Sequence, residues 1–206
     1  MAYIKEARRL IWIPIIHSRS DLGSVGDTLQ ELYVQRTSRE AWDRHIQTVD
    51  DAWERIRQAI DRMDLEYGTV RIYQDGLPQC GRELEIVRNL AASGSQNHRI
   101  LLDLAARGAT IVGTESPDLL VEEYKLVQEW LARLAGEDAD GLSNQTEPLS
   151  TLVLERRDRF IARRVDETLK AGEVGLIFLG LLHVLKHFLP PDIQMTREIW
   201  WTARDA

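Results

Sequence analysis

Two histidines stand just beyond apolar runs that read as strands. His17 follows Leu10-Ile11-Trp12-Ile13-Pro14-Ile15-Ile16, and His183 follows Val174–Leu179 through Gly180-Leu181-Leu182. Histidine titrates near neutrality and ligates metals, so two of them at one end of a sheet suit proton transfer or a divalent ion. Glu115, after the short run Ala109–Gly113, has the same placement and suits a metal ligand or general base. On the helix that carries the charged run Arg156-Arg157-Asp158-Arg159, Arg157, Arg164 and, less exactly, Arg163 could turn one planar guanidinium toward a carboxylate or phosphate. His17, His183 and Glu115 are candidate catalytic residues, together with one arginine among Arg157, Arg164 and Arg163. His17, His183 and Glu115 are the candidate metal ligands.

Directly after His17 the chain reads Ser18-Arg19-Ser20-Asp21-Leu22-Gly23-Ser24. Arg19, Asp21, Gly23 and Ser24 are candidate ligand contacts, because ligands of open α/β sheets collect beyond the carboxyl ends of the strands. The plainer reading is a polar loop whose Ser and Asp side chains cap a following helix. The other candidates have plain readings too. His187 makes a His-x3-His pair with His183 only if both lie on one helix. Asp75, in Asp75-Gly76-Leu77-Pro78, is first of all a turn residue. Asp118 sits where a helix dipole favours an acid. Arg163 and Arg164 share a helix with Arg157, where most such residues pair with Glu155, Asp158 and Asp166 on a solvated face. The single cysteine, Cys80, rules out an internal disulfide and most often packs as a small hydrophobe.

The elements that would position these residues alternate along the chain. Strands are expected at Leu10–Ile16, Thr69–Tyr73, Ala109–Gly113 and Val174–Leu179, with a last one within Ile193–Trp201. Pro14 is a constraint, since it donates no ladder hydrogen bond and prefers an edge or a strand end. Helices are expected at Ser38–Met63, Gly81–Ala92, Gln96–Arg107, Pro117–Ala135, Thr151–Ala171 and Leu182–Phe188. The polar stretch 136–148 reads as a mobile loop. Strands separated by helices imply an α/β fold: a single domain over residues 1–206, with a mainly parallel sheet of four to five strands and helices on both faces.

Bulk properties narrow the partners. A net charge of -7 argues against general nucleic-acid binding, which needs a clustered basic surface. No apolar run reaches the roughly 20 residues that span a bilayer, and no leader is evident, so a cytoplasmic protein without membrane association is expected. Trp200-Trp201 suits an oligomer contact, and a homo-oligomer is one reading.

The segments Glu155–Ala162, Leu169–Gly172 and Gly175–His183 together resemble the closing motif of the TraB/Tiki family, related to ChaN-like and erythromycin-esterase-like proteins. That pattern is an arginine-bearing helix, a turn, a hydrophobic strand and Gly-x-x-His. The family also carries a Gly-x-x-His after its first strand and a glutamate between. Here the first motif is Pro14-Ile15-Ile16-His17, which keeps the histidine and lacks the glycine. The resemblance implies a strand-end site of His17, His183, Glu115 and Arg157, and links to metal-dependent hydrolysis, haem binding or ester cleavage.

The expected function is that of a hydrolase acting on a small-molecule substrate, with a divalent metal as a candidate cofactor. The alternative is a non-catalytic module that binds or senses a small anion or nucleotide. No Gly-x-Ser-x-Gly elbow, His-Glu-x-x-His helix or Walker loop is present in the sequence, so the commonest serine, zincin and P-loop routes lack their motifs.

Overall fold

The computed structural model describes residues 7–16, 24–134 and 143–198. Within them, β1 (Arg8–Ile15), β2 (Val70–Gln74), β3 (Thr110–Val112), β4 (Val174–Gly180) and β5 (Ile193–Arg197) form one parallel sheet in the order β3-β2-β4-β1-β5. The connecting helices are α1 (Ser24–Arg36), α2 (Arg39–Asp61), α3 (Glu83–Ala92), α4 (Gln96–Ala106), α5 (Pro117–Leu134) and α6 (Ser143–Thr168).

Both faces of the sheet are covered, which is why the strands read as unbroken apolar runs rather than alternating ones. On one face Ile11, Ile13 and Ile15 of β1 and Leu176 and Phe178 of β4 pack with Trp53, Ile56 and Ile60 of α2 and with Val87 and Leu101 of α3 and α4. On the other face Leu10, Tyr73, Ile177 and Leu179 meet Ile161 and Val165 of α6 and Leu169 just beyond its end. Ser38 starts α2 as expected, its hydroxyl accepting from the Ala41 N–H.

Pro14 is accommodated by the unequal length of its neighbours. Arg8 donates its N–H to Asp192 on the β5 side, and alternation turns residue 14 to that same side. There β5 pairing stops at Trp12, opposite Arg197, so the missing N–H costs no ladder bond.

Three expectations are corrected. The segment after β4 is not a helix from Leu182 to Phe188 but a turn followed by one 3-10 turn at Leu185–His187, so His183 and His187 do not share a helix. The expected loop 136–148 is helical from Ser143 onward, because α6 starts there; 136–142 lie outside the described residues. A further helix, α1, occupies Ser24–Arg36, where no element had been delineated. Trp200 and Trp201 lie outside the described residues, as does the end of the expected last strand. Among the described residues no helix is long and apolar enough to cross a membrane.

Candidate active site

The order of strands creates the site. The chain leaves β1 and β2 through helices on one face, but reaches and leaves β4 through α6 and Leu185 on the other face. β4 lies between β1 and β2, so connections diverge on both of its sides at their carboxyl ends. Such divergence opens the crevice in which open α/β sheets bind ligands. Ile15, the last residue of β1, is in register with Gly180, the last of β4. His17, Arg19, Asp21 and Gly23 lie outside the described residues, and Ser24 is described only as the first residue of α1.

Two turns deliver the described site residues. After β4, Gly180 to His183 form a tight turn in which the His183 N–H reaches the Gly180 carbonyl at 3.4 Å. After β2, Gln74 to Leu77 form another, closed at 3.2 Å, with Gly76 at φ +75°. That left-handed position is where a type II turn requires glycine. Asp75 occupies the corner between them, and its Oδ2 accepts from the Gly180 N–H at 3.1 Å. The Asp-Gly pair is thus both turn and site.

Glu115 arrives by a close approach of two backbones. Thr114 and Glu115 both donate to the Leu77 carbonyl at 3.0 Å, and Gln79 donates back to the Glu115 carbonyl at 2.8 Å. Gly113 makes this approach feasible: a Cβ there would lie 2.6 Å from the Gln79 Cα and 3.1 Å from the Pro78 carbonyl oxygen. Because both neighbours are backbone, Gly113→Ala must displace the segment carrying Glu115. The expected cost is about 1–3 kcal/mol of unfolding free energy, measurable by urea denaturation.

At the centre, Arg157 of α6 meets three carboxylates. Its Nη2 donates to Asp75 Oδ1 and Glu115 Oε1, each at 2.6 Å, its Nε to Glu115 Oε2 at 3.1 Å, and its Nη1 to Glu123 of α5 at 2.6 Å. Four of the five guanidinium N–H groups are therefore engaged. Burial opposes the charge, yet Glu115, Asp75 and Glu123 hold the guanidinium charged and raise its pKa above the ordinary value. Glu115 is 0% exposed, and burial pushes its carboxyl up from the usual range against the pull of Arg157. It does not line the adjacent cavity. Its geometry is that of a residue holding Arg157, not of a water-activating base or an accessible metal ligand.

His183 is oriented from below. Its Nδ1 lies 2.6 Å from Oδ1 of Asp158, which is 0% exposed, and Asp158 Oδ2 accepts from the Val184 N–H at 2.8 Å. Its Nε2 faces Asp75 Oδ2 at 3.5 Å. Burial disfavours the imidazolium, but the hydrogen bonds to Asp158 and Asp75 and their negative charges outweigh it, and the pKa rises from 6.5 to about 9. His183 is therefore protonated at neutral pH. A group whose folded pKa exceeds its unfolded value stabilises the fold fully below pH about 6.5 and loses that contribution as pH rises through about 9. The stability advantage of wild type over His183→Asn should fall by about 3 kcal/mol between pH ~6 and pH ~10, as read from denaturation midpoints.

A cavity of about 570 Å³ opens above these groups. Asp75, Arg157 and His183 lie at its floor, with Glu123 beside them and His98 of α4 on the wall, its Nδ1 2.7 Å from Ser95 Oγ. The remaining wall is largely apolar: Ile15, Leu90, Leu120, Val127 and Leu154, with Leu181 and Leu182 forming an exposed lip. An apolar pocket with a few convergent polar groups is the usual form of a small-molecule site.

The structure thus brings together three of the four residues singled out as catalytic: His183, Glu115 and Arg157. It adds Asp75, Asp158 and Glu123. Asp158 was read as one surface partner of the arginines, yet it falls on the buried stripe of Val153, Ile161 and Val165, a helical spacing that signals burial. Arg164 reaches the Gly113 carbonyl at 3.1 Å and pairs with Glu167, Arg163 is exposed, and Asp118 is an exposed residue in the first turn of α5. Cys80 is exposed, not packed as a small hydrophobe. Among the described residues no group of three or more His, Cys, Asp or Glu side chains is arranged to hold a metal ion. No family model, curated protein or solved structure matches the chain.

Proposed function

We propose that the chain is a hydrolase that cleaves an acyl ester or amide with an apolar acyl part, using His183 as general acid. The observation that carries this reading is the setting of one side chain. His183 has one ring nitrogen fixed by a fully buried carboxylate and the other turned toward Asp75 at the floor of an apolar cavity. A carboxylate behind an imidazole fixes its tautomer and orientation, as proton-transfer chemistry requires.

In this reading Asp75 takes a proton from water while the hydroxyl adds to the acyl carbon. The bond from the acyl carbon to the leaving oxygen or nitrogen then breaks, and that atom receives the His183 proton. Return of the proton from Asp75 to His183, 3.5 Å away, restores the starting state. Arg157 does not serve here as the anion binder expected from its fork. With three carboxylates around it, it is a positioning residue that fixes Asp75.

A divalent metal would compete with this role, because His183 can ligate one only after giving up the Nε2 proton, and Glu115 is committed to Arg157. Three of the four residues implied by the TraB/Tiki resemblance share this site, which supports kinship with that family. The test is hydrolysis of p-nitrophenyl esters and p-nitroanilides of graded acyl length, with and without added divalent ions. Turnover that improves as the acyl chain lengthens supports the proposal. No turnover of any substrate under either condition overturns it.

A further inference from the structure

One buried acceptor beside the large cavity has no hydrogen bond. Gln74 is the last residue of β2, and strand alternation turns its side chain to the face of Ile72, that of α3 and α4, while Tyr73 and Asp75 turn toward α6. With Leu90 of α3 and His98 of α4 it lines the large cavity, and it is 1% exposed. Its Nε2 donates to the Asp75 carbonyl at 3.0 Å. That bond fixes which end of the carboxamide is oxygen, because the reversed group would set two oxygens against each other. Oε1 is left buried and unpaired among the described residues. Trp53 and Asn97 also carry unpaired buried atoms, but neither lines this cavity. A buried acceptor without a donor costs free energy that an arriving donor returns. Oε1 has no bond to give up, and the terminal torsion of a glutamine is broad, so the oxygen can turn to the cavity floor.

We infer that Gln74 selects an amide over an ester: Oε1 accepts the N–H of the scissile bond, and the substrate is an N-acyl amine with an apolar acyl part. The inference rests on the reading of His183 as general acid and Asp75 as base. A secondary amide carries at this position the one donor that an acyl ester lacks, and Oε1 can only accept. Gln74 reaches the cavity from the α4 side, and His183 and Asp75 reach it from the α6 side. A scissile nitrogen between them would point its N–H at Oε1. Once the hydroxyl has added and the carbon is tetrahedral, its lone pair would point at His183. The His183 proton joins that pair, the carbon–nitrogen bond breaks with its electrons leaving on nitrogen, and the amine departs from a carboxylic acid. Gln74 is then a specificity residue that also aims the leaving group at its proton donor.

The test compares the p-nitroanilide and the p-nitrophenyl ester of hexanoic acid on wild type and on Gln74→Met, which keeps the length and removes the amide oxygen. Circular dichroism checks folding, and Gln74→Leu takes its place if the methionine variant does not fold. Esters are intrinsically the more reactive, so the ratio of variant to wild-type kcat/KM is read within each substrate. A fall of about tenfold or more for the p-nitroanilide, with the ester changed less than about threefold, supports the inference. An equal change in both, an unchanged p-nitroanilide, or a wild type that cleaves the ester alone overturns it and leaves the hydrolase reading standing. If wild type cleaves neither, the hydrolase reading fails, and calorimetric titration with the same two compounds decides the role of Gln74. Tighter binding of the p-nitroanilide by wild type, lost in Gln74→Met, keeps Gln74 as an amide-selective contact. Equal binding of the two compounds, or none, overturns it.

Discussion

Arg157→Met should lower the unfolding free energy by about 3–5 kcal/mol, the largest stability loss expected from any single site substitution. The side chains are similar in length, so lost packing explains little of it. The loss arises because Asp75 and Glu115 stay buried with no guanidinium between them. Breaking a buried ion pair by removing one partner leaves a charge in a medium that solvates it poorly. Arg157→Lys should recover only part of the loss, since one ammonium cannot reproduce the fork that meets both Glu115 oxygens. Adding Glu115→Gln to Arg157→Met should return part of the stability, because the removed charge is one that Arg157 had compensated. A urea denaturation cycle of these variants measures all of this. A loss below about 1 kcal/mol for Arg157→Met would show that the cluster is not the electrostatic centre described here.

His183→Asn should cut kcat/KM by about 10²–10⁴-fold with the fold retained, the range usual for removal of a general acid or base. Asparagine is chosen because its amide can still donate toward Asp158 from near the Nδ1 position, which keeps that buried carboxylate satisfied. Asp158→Asn should act through His183: the pKa of the imidazole falls, and its basic limb in the rate profile moves to lower pH. A purely structural role for Asp158 would lower stability without moving that limb. Circular dichroism alongside the kinetics separates lost chemistry from lost fold.

The sheet was legible because its strands are buried on both faces and so read as apolar runs, each bounded by helical patterns or turn residues. The central place of β4 follows from burial, since Leu176 to Leu179 are all 0% exposed. What was not legible depended on context beyond a local window. Leu182, Val184 and Leu185 suggest a helix by spacing, but the turn closed from His183 to Gly180 takes up the first residues and Pro190-Pro191 ends the segment, and one 3-10 turn forms instead. In α1 the apolar residues are too scattered to mark a face, so the sequence pattern delineates no element there; the polar loop read after the first strand ends at Ser24, where α1 begins.

The site was legible in part for the same reasons. His183 and Glu115 stood out because a polar residue directly after an apolar run marks a strand end. Arg157 and Asp158 were harder, because a run of four charged residues looks like a solvated face. The helical period resolves it: positions 153, 157, 158, 161 and 165 share one buried side of α6, while Arg156 and Arg159 pair with Glu122 and Glu155 at the surface. Asp75 was masked by its turn role, since Asp-Gly needs no further explanation in a sequence. Only the fold shows that this turn abuts the end of β4.

The most direct test of the central claim is the pH dependence of kcat/KM for wild type on its best acyl substrate. If His183 is the general acid, activity falls as pH rises through about 9, and His183→Asn shows no such limb in its residual rate. A profile that stays flat through that range, or a limb that persists unchanged in His183→Asn, would contradict the account.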